Sequence, residues 1–118
     1  MGYDKDNVFA KIIYKKLQAE IIDESTHAMA FNDIAPRAPI HVLIIPKKEY
    51  INYHDFISNA SHEEIIDIYK LINSIIDKFD LKRRGYRIIT NTGDDGNQEV
   101  KHLHFHLLAG KNLGIMIN

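Results

Sequence analysis

The chain has 118 residues and a mass of 13.6 kDa; at 45% hydrophobic and 26% charged residues it fits one globular domain spanning 1–118. Fifteen basic and sixteen acidic side chains leave a formal net charge of -1, so no bulk field draws it to nucleic acid or to an anionic membrane. It has no cysteine, which excludes disulfide scaffolds, Cys-ligated zinc, iron–sulfur clusters and thiol catalysis, and which fits a reducing cytoplasm. Charges interrupt Met1 to Asp6, and no apolar run approaches the ~18 residues of a membrane span, so neither a signal peptide nor a transmembrane helix is expected.

Asn7 is placed to cap a short helix from Val8 to about Leu17, with Phe9, Ile12 and Ile13 at helical spacing. From Ile21 to Phe31, short apolar runs around Glu24, Ser25 and Thr26 read as two strands joined by a tight turn. Pro36 and Pro39 make Asp33 to Pro39 a rigid loop, because each removes a donor and biases its predecessor to extended geometry. His41 to Ile45 then reads as a strand buried on both faces.

Ser61 and Glu64 have the spacing of a capping box, and Ile65, Ile68, Ile72, Ile75, Ile76 and Phe79 form an apolar stripe behind it, which predicts the longest helix. Lys82, Arg83 and Arg84 would complement its C-terminal dipole, with Gly85 as the left-handed stop. Tyr86 to Thr90 and His102 to Leu108 read as strands around a Gly- and Asp-rich loop, Asn91 to Asn97. This order predicts an α+β domain, an antiparallel sheet with helices packed on one face.

Three of the seven histidines fall in His102-Leu-His104-Phe-His106. In a strand, alternate side chains share a face, so these three line one side while Leu103, Phe105 and Leu107 enter the core. Imidazole is a common metal ligand, and two of the three, with His41, could share an ion. The outer two, however, are roughly 13 Å apart at Cα along an extended strand, which makes a straight triplet a poor cage, and no metal or other cofactor is assigned. Nucleophilic and acid–base chemistry at phosphorus suits the face better: one neutral imidazole attacks while its neighbours hold the non-bridging oxygens and protonate the leaving group.

The segment His102 to Leu108 is similar to the H-φ-H-φ-H-φ-φ signature, φ apolar, of the histidine-triad (HIT) superfamily. Asn7 to Ile13, Phe31 to Pro36, Ala38 to Lys47, Gly85 to Asn91 and Gln98 to Val100 resemble blocks of its Hint-like branch, in the same order. The resemblance implies a five-stranded antiparallel sheet with one short and one long helix, joined into ten strands in a homodimer. It also implies a purine nucleoside phosphoramidate hydrolase that binds purine nucleoside monophosphates. By motif position, His104 would be the nucleophile, His102 and His106 its flanking catalytic partners, and His41 the fourth histidine. Asp33 would accept from the ribose hydroxyls, Phe31 and Ile34 would wall the base, and Asn91, Asn97, Gln98 and Glu99 would meet the phosphate.

Asn97 stands where many members have Gly, Glu99 is a bacterial-type residue where many animal members have Ser, and the Trp-containing tail of animal members is absent. Two alternatives stand beside the hydrolase: a nucleotide-binding interaction module with incidental hydrolysis, and a dinucleoside polyphosphate hydrolase. His27, His54 and His62 match no motif and read as surface or capping residues, and Asp33 read alone is a turn cap.

Overall fold

The computed structural model describes residues 2–117, so Met1 and Asn118, the ends of the expected domain, lie outside the described residues. The elements are α1 (Val8–Ile13), β1 (Ile21–Glu24), β2 (Ala28–Asn32), β3 (Ile40–Pro46), α2 (Tyr53–Asn59), α3 (His62–Lys78), β4 (Arg87–Ile89) and β5 (Phe105–Ala109). The five strands form one antiparallel sheet in the order β1-β2-β3-β5-β4, the expected α+β architecture.

Alternation along the central strands divides the interior in two. Val42 and Ile44 of β3, with Phe105 and Leu107 of β5, pack under α3 against Ile68, Ile72 and Ile75. Leu43 and Ile45 point the other way, into a smaller cluster with Met29, Phe31 and Phe9 of α1. The helices therefore do not all pack on one face: α3 covers one side of the sheet, and α1 covers part of the other. His41, in phase with Leu43 and Ile45, is on the α1 side, and so is His106, which pairs with Leu43 across the ladder.

Both long-range helix boundaries differ from expectation for one reason. α1 ends at Ile13, where Lys15 turns left-handed (φ 61°) and the amides of Lys16 and Lys15 return to the carbonyls of Lys11 and Ile12. α3 ends at Lys78 in the same motif, with Asp80 (φ 53°) in the left-handed position and the amide of Leu81 donating to Ile76. Neither stop is a glycine. Lys82 to Arg84 thus lie beyond the last turn, and Lys78 is the basic residue that meets the dipole; Gly85 (φ 96°) closes the turn after it.

The N-terminus of α3 has the expected capping box, Ser61 and Glu64 exchanging side chain to backbone bonds. The second short helix, α2, was not expected; Asn52 caps it by accepting from the Asp55 amide. β4 is shorter than Tyr86 to Thr90, and the β5 ladder begins at Phe105 rather than His102. No helix among the described residues is long and apolar enough to cross a membrane.

Candidate functional site

On the α1 side of the sheet, a cleft of about 390 Å³ is lined by Asp33, Arg37, His41, Ile89, Asn91, Asn97, Glu99, His104, His106 and Leu108, with Ala35 at its edge. β3 supplies His41 and β5 His106, with His104 just ahead of β5; the proline-stiffened loop before β3 supplies Asp33 and Arg37, and the loop before β5 supplies Asn97 and Glu99.

Hydrogen-bond partners fix each ring's tautomer. The Arg37 amide donates to Nδ1 of His41 (3.0 Å), so His41 carries its proton on Nε2 and donates to Nδ1 of His106, 2.9 Å away. His106 therefore carries its own proton on Nε2, the nitrogen that has no partner among the described residues. His104 is arranged in the opposite sense: its Nδ1–H donates to the carbonyl of His102 at 2.8 Å, which leaves the Nε2 lone pair bare. One ring in the cleft thus offers a lone pair, and its neighbour, with ring centroids 5.1 Å apart, offers a proton.

His102 is not on the cleft. Its side chain is 0% exposed, with Nε2–H donating to the carbonyl of Pro46 (2.9 Å) and Nδ1 facing the Tyr3 hydroxyl. Phe9 stacks edge-on against both His102 and His104. Burial disfavours the charged form of all four rings: it lowers the pKa of His41 and His104 and takes His102 and His106 down to about 4. The Asp33 charge opposes this at His41, His104 and His106, Arg37 reinforces it at His41 and His106, and Glu99 opposes it at His104.

Asp33 does two things at once. Its Oδ1 accepts from the Ala35 amide (2.8 Å), making the turn cap, and its Oδ2 lies 3.5 Å from Nε2 of His41. Asp33, His41 and His106 each offer an atom within 4.8 Å of the others, a spacing a cation could occupy. At 2.9 Å, however, the two nitrogens are already joined by a proton, and an ion there would have to displace it.

Other expected contacts are placed differently. Phe31 is buried beneath Phe9, and Ile34 stands 98% exposed beside the cleft. Gln98 is buried and already occupied: its amide donates to Ile51 and Val100, and its carbonyl accepts from Gly93, so it braces the loop. Asn91 lines the cleft while donating to the Gly96 carbonyl, and Asn97 takes a left-handed φ of 58°, the conformation that suits Gly or Asn there. His54 and His62 are exposed and His27 is half-buried, all away from the cleft. Sequence reasoning missed Arg37, Tyr3 and the packing of Phe9 on His102 and His104. Arg37 had a signal, since it lies inside the rigid Pro36–Pro39 loop that carries Asp33.

The chain is 52% identical over 116 residues to a HIT-like protein of Rickettsia prowazekii (strain Madrid E), covering 98% of this chain and 97% of that one. It is 36% identical over 114 residues to the purine nucleoside phosphoramidase of Escherichia coli (strain K12), covering 96% and 94%. The fold superposes on a histidine triad protein from Clostridium difficile with a TM-score of 0.86 at 38% identity, covering 97% and 98%. The HIT domain family model matches residues 14–113, a stretch that takes in the cleft from Asp33 to Leu108, and this chain belongs to that family.

Proposed function

We propose that the protein is a purine nucleoside phosphoramidate hydrolase that works through a nucleotidyl-His104 intermediate and releases a nucleoside monophosphate. The observation that carries this reading is the bare Nε2 lone pair of His104, held toward a cleft that Asp33 and the His106 Nε2–H also face. The E. coli relative's activity supports the substrate class.

In this reading an anionic phosphate in the cleft opposes the effect of burial, and His106 takes up a proton at Nδ1 as the His41 Nε2–H turns to the Asp33 carboxylate beside it. Nε2 of His104 attacks phosphorus, the P–N bond breaks, and the leaving amine takes the His106 proton. The phosphorylated imidazole is then cationic, and its Nδ1–H bond to the His102 carbonyl strengthens as that charge develops. Water attacks phosphorus, the P–O bond forms as the P–Nε2 bond breaks, the water's proton passes to Nε2 of His106, and His104 leaves neutral with its Nδ1–H. Asn91 and Asn97 hold phosphate oxygens, Asp33 the ribose, and exposed Ile34 packs on the base. Glu99 favours an amine over a polyphosphate as leaving group, because it places like charge beside the latter. Incubation with adenosine phosphoramidate, scored for AMP, tests the proposal; no AMP above the uncatalysed rate would remove it.

We also infer a homodimer. β4 is a sheet edge with an open ladder, and Ile88 on it, Tyr53 on α2 and Ile66 and Tyr69 on α3 are exposed. An exposed apolar edge strand is an unstable terminus, which a second copy pairing antiparallel would cover.

A further inference from the structure

We propose that Tyr3 is a positioning residue for His104, acting through His102. Its activity arm rests on the hydrolase reading; its structural arm does not. The Tyr3 oxygen lies 2.5 Å from Nδ1 of His102, with the rings edge-to-face at 5.5 Å. The Pro46 carbonyl that meets the other nitrogen has no proton to give, so Nε2 of His102 must donate, and Nδ1 is left as an acceptor for the Tyr3 O–H. The opposite tautomer would set the Nε2 lone pair against the Pro46 oxygen in a fully buried place.

His102 is thereby pinned at both nitrogens, between the end of β3 and the third residue of the chain. The pinning matters because Lys101 to His104 precede the β5 ladder. The carbonyl of His102 is therefore not held by a neighbouring strand. It is instead the acceptor for Nδ1–H of His104, the bond that keeps the nucleophilic lone pair on Nε2. Beyond the side chain, the backbone here is anchored on either side of that peptide, by the Leu103 amide donating to Tyr50 and by the Thr90 hydroxyl donating to the His104 carbonyl. Without the Tyr3 hydroxyl, Nδ1 of His102 becomes a buried acceptor with no partner. Rotating the ring or moving its proton relieves that, and either change disturbs the carbonyl below it.

The test is Tyr3→Phe, which keeps the ring and removes only the hydroxyl. Imidazole ¹⁵N shifts report the tautomers of His102 and His104 directly. In the wild-type protein, His102 should be Nε2–H with Nδ1 in the shift range of a hydrogen-bonded acceptor, and His104 should be Nδ1–H. In Tyr3→Phe the His102 shifts should move and a His104 Nε2–H population should appear. Groups that orient a histidine from behind typically matter at about 10- to 100-fold, so kcat on adenosine phosphoramidate should fall by that factor with KM nearly unchanged. Placing 4-aminophenylalanine at position 3 restores a donor and should recover both readouts.

A His102 found as Nδ1–H in the wild-type protein would overturn the proposal without any variant. So would a Tyr3→Phe protein with unchanged His104 shifts, whatever its rate. A wild-type protein inert toward phosphoramidates would sink the hydrolase reading, while the nitrogen shifts would still decide this one.

Discussion

Nε2 of His41 and Nδ1 of His106 stand 2.9 Å apart with one proton between them, and the backbone decides which ring owns it. The Arg37 amide fills Nδ1 of His41, so His41 donates, and His106 cannot present a lone pair to the cleft. His104, whose Nδ1–H is engaged by a carbonyl, can do nothing else. Two imidazoles of one cleft are thus assigned opposite roles, His104 by a carbonyl and His106 by an amide acting through His41.

That division predicts unequal mutational costs. His104→Ala removes the attacking atom, and losing a nucleophile from a cooperating set costs on the order of 10⁴ to 10⁶ in kcat. His106→Gln removes a proton donor and should cost about 10² to 10⁴. Single-turnover kinetics with adenosine phosphoramidate separate the two, and a nucleotidyl-enzyme should be seen by intact mass in His106→Gln but not in His104→Ala. Near-wild-type turnover by His104→Ala would show that another group attacks.

Stability should depend on pH through the same histidines. His102 and His106 titrate at 6.5 when unfolded and at about 4 in the fold, chiefly because burial disfavours the cation. Between those values the unfolded chain binds more protons, so stability is complete above pH 6.5 and is lost as pH falls toward 4. Moving from pH 7 to pH 5 should cost about 2 kcal/mol through the fully buried His102, and less through His106, which solvent in the cleft screens. Urea unfolding at the two pH values measures this; a midpoint that rises on acidification would mean that these rings are charged in the fold.

What the sequence made legible was whatever repeats at a fixed period. The alternation of His102, His104 and His106 with Leu103, Phe105 and Leu107 placed imidazole and core on opposite faces, although the ladder starts only at Phe105. The Ser61–Glu64 box was equally plain. Helix ends were misjudged because Lys15 and Asp80 adopt the left-handed turn for which glycine is the usual signal. α2 was missed because seven residues carry too little periodicity to register. The resemblance implies that Gln98 meets the phosphate; only the fold shows that Ile51, Val100 and Gly93 already use its amide. Tyr3 left no trace in local sequence, since its partner is separated from it by almost the whole chain.

Assembly is tested at the β4 edge. Light scattering at micromolar concentration should give a mass near twice 13.6 kDa, and Ile88→Lys should reduce it to the single-chain value, because a charge on an edge strand discourages pairing. A wild-type mass near 13.6 kDa would count against the dimer.

Chelation should leave activity intact. The Asp33, His41 and His106 atoms lie close enough to hold a cation, but the His41–His106 proton occupies the line between them, and the proposed steps run through His106, whose Nδ1 an ion would take. Zinc added in excess should therefore inhibit by breaking the pair. Activity abolished by EDTA and restored by zinc would mean that the ion, rather than the proton, is the working occupant.

Ribonucleotide selectivity is the prediction that separates the two uses of Asp33. Its Oδ1 is committed to the Ala35 amide, and its Oδ2 lies on the cleft near His41, so one carboxylate is both cap and candidate ligand. Pro36 and Pro39 stiffen the loop, which limits the entropy lost when a ligand binds. The carboxylate can only accept, which matches the paired donors of a ribose 2′- and 3′-hydroxyl. A hydrogen bond to a charged acceptor contributes roughly 1.5 to 3 kcal/mol, so 2′-deoxy-AMP should bind about 10- to 100-fold more weakly than AMP. Asp33→Asn keeps the cap, through its own carbonyl oxygen, but loses the charge, so the gap between the two nucleotides should narrow while unfolding stability stays close to wild type. Calorimetric titration of both ligands into both proteins gives the four affinities. Equal binding of AMP and 2′-deoxy-AMP by the wild-type protein would confine Asp33 to its turn and leave recognition to the phosphate contacts and the base.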